Sequence, residues 1–178
     1  HGTKTPILDM NYQRSGCSPI CPCCILEAPY VRTVWDHELV TACPQHAVLL
    51  MDECPGCSEP ITRDRKSITH CLNCNFSFAD TTSSSAEDFD LAISALIAGA
   101  VSKARGLMPE ALQSGGPPSD ISDFLTYLAV HIQPIAASGR TGKAPRPKTI
   151  EESRELLRRV WSALQDWPTG IERFTESR

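Results

Sequence analysis

Apolar residues recur at helical spacing in three stretches of the second half of the chain and at no comparable spacing in the first half. Phe89, Ile93, Leu96, Ile97, Ala100 and Val101 fall on one face of a predicted helix. Ser85-Ala86-Glu87-Asp88 reads as its N-cap with an acid three residues on, and Gly106 and Pro109 as its stop. A second stripe, Ile121, Phe124, Leu125, Leu128 and Ile132, predicts a helix from about Ser119 or Asp120 to Pro134. The third is Leu156, Leu157, Val160, Trp161, Leu164 and Trp167, with Thr149 and Glu152 as a capping box and Pro168 and Gly170 as the end. A helical segment over 86–171 follows, with a Gly/Pro loop at 114–118 and a basic Pro/Gly linker at 138–148.

Upstream, the apolar runs are short and β-like: Tyr30–Trp35, Ala47–Met51 and Phe76–Phe78. They suit small hairpins rather than a large sheet. The fold class predicted is small α+β: a lead-in over 1–20, a cysteine module over 21–80, and about three helices over 86–171.

Eight of the module's Cys and His residues come in pairs two residues apart. They are Cys21 with Cys24, Cys43 with His46, Cys54 with Cys57, and Cys71 with Cys74. A two-residue gap lets a tight turn aim both donors at one ion, and two such turns close a tetrahedron. Pro22, Pro44, Pro55 and Gly56 suit those turns. The gaps of 18 residues (Cys24 to Cys43) and 13 residues (Cys57 to Cys71) each hold a hairpin or ribbon. Tight pairs predict metal rather than disulfides. Two structural zinc ions per chain are expected, and they let a segment this short fold despite its small core.

Both predicted sites are closed by four protein ligands, whereas a catalytic zinc keeps one position open. No helical H-E-x-x-H and no H-x-E is present, so no enzymatic activity and no small-molecule substrate are expected. Cys17 and Cys23 are left over. Cys17 reads as a free thiol and Cys23 as a filler between ligands, the alternative being that one of them replaces Cys21 or joins a swapped site. His37 and His70 are expected to face solvent or stand behind a ligand, and His131 to be structural.

Charge narrows the partners. The formal charge is −4. Over 21–78 four basic residues face seven acids, and two zinc ions bound by seven thiolates would take that segment from −3 to −6, a poor surface for phosphates. Any nucleic-acid contact is therefore expected on the linker residues Arg140, Lys143, Arg146 and Lys148, with Arg154, Arg158 and Arg159 on the third helix. The competing reading of these residues is a solvated linker and an ordinary polar helix face. Tyr30, Val34, Trp35 and Phe78 either anchor a partner or fill the ribbon core. No apolar run is long enough to span a membrane. The stretch shows no basic region followed by an apolar core, so a cytoplasmic setting is expected.

The order Cys21-Pro-Cys-Cys24, Tyr30, Trp35, Cys43-Pro-Gln-His46, Leu49-Leu50, Cys54-Pro-Gly-Cys57 and Cys71-x-x-Cys74 resembles the TniQ family of bacterial transposition proteins. Trp167-Pro168-Thr169-Gly170-Ile171 after a long helix is similar to a late feature of that family. The family's N-terminal Glu-Ser-Leu and Ser-Trp type motif has no counterpart here. The resemblance implies a non-catalytic adaptor or target-selection subunit working beside a DDE transposase and an AAA+ ATPase regulator, or with a target-recognition complex. The alternative is a zinc-ribbon protein that reads target DNA itself.

Overall fold

The computed structural model describes residues 12–113, 117–131 and 146–176. Helix α1 (Pro22–Glu27) opens the cysteine segment and is followed by a 3-10 turn at Thr33–Asp36. Strands β1 (Ala42–Cys43) and β2 (Val48–Leu49) pair antiparallel, Ala42 opposite Leu49 and Cys43 opposite Val48. A second 3-10 turn covers Phe78–Asp80. Among the described residues six helices follow: α2 (Asp88–Ile97), α3 (Val101–Leu107), α4 (Glu110–Gln113), α5 (Pro118–His131), α6 (Ile150–Gln165) and α7 (Thr169–Glu176). This is a small α+β fold with a two-stranded hairpin, and its three long helices are those the apolar stripes predict. Among the described residues no helix is long and apolar enough to cross a membrane.

Several local expectations are corrected. Tyr30–Trp35 is not a strand: Trp35 N–H donates to the Arg32 carbonyl and His37 N–H to the Val34 carbonyl, which winds the chain and drives Trp35 inward. Phe76–Phe78 contributes only an isolated bridge at Ser77 before it turns. The predicted first helix breaks at Gly99, whose φ of 80° is left-handed and open to glycine at little cost, so α2 and α3 fold back on each other. Its N-cap is Glu87 rather than Ser85, and the Glu87 N–H donates to Asp90 Oδ2 at 3.1 Å. The cap of α6 forms as expected: Glu152 N–H donates to Thr149 Oγ1 at 3.1 Å and Thr149 N–H to Glu152 Oε2 at 3.3 Å. Beyond Pro168 the chain turns into α7. A Cβ on Gly170 would lie 2.3 Å from the Ala163 carbonyl oxygen, so glycine is what lets α7 pack there.

The helices and the cysteine segment share one core. Ile20, Ile25, Trp35, Leu39 and Phe78 are buried together with Ile93, Leu96, Leu125, Leu157 and Leu164. Each such side chain contributes about 1.5–3 kcal/mol on burial. Polar ties fix how the parts meet. Thr41 N–H and Ala42 N–H both donate to Ser94 Oγ at 3.1 Å, and Thr41 Oγ1 donates to Asp90 Oδ1 at 2.7 Å. The Arg14 guanidinium is buried. It donates to Ser153 Oγ (2.7 Å), to the Glu38 carbonyl (2.9 Å) and to the carbonyls of Val40 and Thr149. Asp52 Oδ2 accepts from the Ile150 N–H at 2.7 Å, so an acid of the cysteine segment sits at the positive end of α6.

Candidate metal centres

Three of the four predicted pairs fold as one motif. In Cys43–His46, Cys54–Cys57 and Cys71–Cys74, the residue after the second donor turns back, and its N–H donates to the carbonyl of the first cysteine. Those bonds are Ala47 to Cys43 (2.9 Å), Ser58 to Cys54 (2.8 Å) and Asn75 to Cys71 (3.0 Å). All three turning residues are left-handed, with φ of 56°, 57° and 59°. The conformation strains alanine and serine and suits asparagine better. Within such a turn the backbone amides face the first sulfur. They lower Cys71 to about 7, with the Cys74 N–H the largest contribution. Cys43 is held lower still, at about 4, chiefly by a hydrogen bond from the Cys21 thiol and also by the amides of His46 and Gln45. At Cys54 burial wins over the amides and pushes the thiol up to about 12.

The fourth pair is built differently. Cys21 is the N-cap of α1, where its sulfur accepts from the Cys24 N–H at 3.5 Å. Pro22 stands in the first helical turn, where its missing N–H costs nothing. Cys24 lies in that same turn and faces the same side.

The structure brings these donors together in two groups. Cys21, Cys24, Cys43 and His46 form one, Cys54, Cys57, Cys71 and Cys74 the other, and in each every donor atom lies within 4.8 Å of the rest. In the first group His46 Nδ1 is 3.5, 3.4 and 3.6 Å from the sulfurs of Cys21, Cys24 and Cys43. Cys24 and Cys43 are 3.6 Å apart, as are Cys54 and Cys74, and Cys57 and Cys71. Sulfurs of a disulfide sit about 2.05 Å apart, so none of these pairs is bridged. Both groups can hold a metal ion.

No protein-family model and no curated protein matches the chain.

The centres differ in setting. The first is sunk in the shared core, its three cysteines all at most 2 % exposed. Its histidine is oriented from outside: His46 Nε2 meets Glu27 Oε1 at 2.8 Å, which raises the imidazole's basicity and leaves Nδ1 for an ion. Glu27 also accepts from Gln45 Nε2. Glu27 carries no motif; its position one helical turn beyond Cys24 is the signal that α1 makes meaningful. In the second centre Cys54 and Cys71 are buried, Cys57 is half-buried and Cys74 is exposed. Gly56 lets this turn close, since a Cβ there would lie 3.1 Å from Cys74 Sγ and from Phe76.

Cys17 and Cys23 belong to neither group. Cys17 is buried and donates to the Lys148 carbonyl at 3.1 Å, and burial pushes its thiol up to about 11. Cys23 lies beside Ser83. His37, expected toward solvent or behind a ligand, is buried against the Tyr12 ring. The His70 ring bonds Thr69 Oγ1. The side chain of His131 lies outside the described residues.

The basic candidates are placed as follows. Arg140 and Lys143 lie outside the described residues. Arg146 reaches Glu38 at 3.9 Å and stacks over the Tyr12 ring, and Lys148 is exposed. Arg154 is mostly buried and paired with Glu87, Asp90 and Glu151. Arg158 pairs with Glu87 at 3.7 Å and Arg159 with Glu155. Of the apolar candidates, Trp35 and Phe78 fill the core, Val34 is half-buried and Tyr30 is exposed.

Proposed function

We propose that the two centres hold structural zinc and that the chain is a non-catalytic adaptor or target-selection subunit of a bacterial DNA transposition complex. The observation that carries this reading is the fold of the Cys-Pro-x-His, apolar strand, Cys-Pro-x-Cys order into two centres with four protein donors each. A tetrahedral zinc with bonds of about 2.3 Å to sulfur and about 2.05 Å to nitrogen requires sulfurs about 3.8 Å apart and nitrogen about 3.6 Å from sulfur. The closest donor pairs, 3.4–3.6 Å apart, fit an ion of that size, and every donor lies within 4.8 Å of the others in its group. When bound, the zinc supplies a rigid cross-link, and with four protein donors it leaves no position for an attacking water. The protein therefore acts through surfaces rather than turnover. The partner is an AAA+ ATPase regulator or a target-recognition complex, in a cytoplasmic setting.

The same argument weighs against the alternative, direct reading of target DNA. The α6 arginines already neutralise Glu87, Asp90, Glu151 and Glu155, which leaves less free charge for phosphates. The deciding experiment pairs two measurements on zinc-loaded protein: capture of an AAA+ transposition ATPase, and a gel shift on duplex DNA at physiological salt. Capture without tight DNA binding is expected. Sequence-selective DNA binding without any partner overturns the adaptor reading in favour of the alternative. Elemental analysis is expected to give two zinc ions per chain.

A further inference from the structure

A cleft of about 460 Å³ lies between the first metal centre and the helices. One wall is Pro44 and Gln45, the two residues inside the Cys43–His46 turn. The opposite wall is the α2–α3 bend with Ala98 and Ala100, and Val34 and Trp35 close the end. Two cations stand at its rim, Arg32 and Lys103, and among the described residues no carboxylate lines it. That is a local inversion in a chain of net charge −4. Lys103 is exposed on α3, and its ammonium is held by the Pro44 carbonyl rather than by an acid. Arg32 donates to Gln45 Oε1 at 3.1 Å. Its guanidinium lies 5.2 Å from the Tyr30 ring centre and 5.9 Å from that of Trp35. Tyr30 is 48 % exposed, which extends the apolar surface out of the cleft. Tyr30 and Arg32 at the rim of a concave apolar site are residue types that dominate binding energy at protein interfaces.

We infer that this cleft is a docking site for a short segment of a partner protein that carries an apolar side chain flanked by Asp or Glu. The apolar side chain enters against Val34, Pro44 and Ala98, and the carboxylates meet Arg32 and Lys103. Charge complementarity selects this occupant: the Lys103 ammonium meets only a backbone carbonyl, so an acidic segment answers it where a neutral apolar one does not, whereas a nucleic acid is an outcome the test must separate. The inference rests on the adaptor reading and names the surface through which it would work. Because Pro44 and Gln45 sit inside a metal-binding turn, the cleft keeps its shape only while the first centre is filled.

The test uses the full zinc-loaded chain and fluorescence anisotropy with two labelled peptide pools. One pool has apolar residues flanked by Asp and Glu; the other has Asn and Gln in their place. The acidic pool is expected to bind, and the neutral pool to bind about tenfold more weakly. Lys103→Glu and Ala100→Glu, both on exposed positions, are each expected to weaken the acidic pool about tenfold or more, with zinc content and helical signal unchanged. Tyr127→Ser, exposed on α5 and outside the cleft, is expected to change nothing. Chelating the zinc is expected to release the peptide. Equal binding of the two pools, or insensitivity to both cleft variants, overturns the proposal. So does a single-stranded oligonucleotide that binds more tightly than the acidic pool and is displaced by Lys103→Glu. Capture of the ATPase separates the two claims. Wild-type protein that fails to capture it counts against the adaptor reading, whereas equal capture by wild type and Lys103→Glu counts against the cleft alone.

Discussion

Replacing one cysteine in each metal centre should give two different molecules. Cys57→Ser removes a half-buried donor from the second centre, whose turns are closed mostly by short-range bonds such as Cys54 N–H to the Glu59 carbonyl and Cys71 N–H to the Phe76 carbonyl. Cys24→Ser removes a donor from a centre inside the core. Loss of that zinc releases Cys43 and with it β1, which is tied to α2 by two bonds to Ser94 and one to Asp90, about 1 kcal/mol each. It also loosens Ile25, Trp35 and Leu39, worth about 1.5–3 kcal/mol apiece. Because these ties and side chains belong to the core that the helices share, the first centre opens together with the helices. We expect Cys57→Ser to retain one zinc per chain, most of its helical circular dichroism and a cooperative melt. We expect Cys24→Ser to lose the helical signal at ambient temperature. Titrating wild type with a chelator, followed by a zinc-sensitive dye and circular dichroism together, should release one zinc before the helices melt and the second as they do. Cys17→Ser should keep both ions. A Cys24→Ser protein that melts cooperatively from a fully helical state refutes the coupling, as does helix loss with the first zinc released.

Three further outcomes follow. Ala47→Gly and Ser58→Gly relieve left-handed strain and should each stabilise the protein by up to about 1 kcal/mol, whereas Asn75→Gly should gain less; chemical denaturation of zinc-loaded variants measures this. Glu38 is buried, its Oε2 accepts no hydrogen bond and has only the long ion pair with Arg146, and burial raises its pKa despite Arg146 and Arg14. Its ionised form is therefore disfavoured in the fold, and its contribution to stability, full below the ordinary carboxylate range, is lost as pH rises through the raised value. Glu38→Gln should thus raise the melting temperature at pH 8, by an amount that shrinks toward acid; a pH-independent difference contradicts the assignment. Gly170→Ala should cost about 1–3 kcal/mol by driving a methyl into the Ala163 carbonyl, read as a lower melting temperature with zinc content unchanged.

What could be read from residue order was what short range decides. The donor pairs needed only their two-residue gaps, and the α6 cap only Thr149 and Glu152. The β reading of Tyr30–Trp35 failed because burying Trp35 mattered more than local alternation. The break at Gly99 was hidden by an apolar run that reads as helix on either side. Glu27 became visible only once α1 placed it over His46. Arg14 had no signal at all: its acceptors at Thr149 and Ser153 lie 135 and 139 residues away, and no local pattern encodes that distance.

Those distances also set an order of events during synthesis. The donors of the first centre are complete once His46 has been made, well before the α6 residues that accept from Arg14. Arg14 must wait. Until α6 arrives it remains a hydrated cation, and the apolar surface that Leu157, Val160 and Leu164 later cover stays open to water. Docking of so distant a segment carries a large loop-closure cost. Between those two events the apolar face of the first centre lies uncovered, and surface open at that stage is what a chaperone holds.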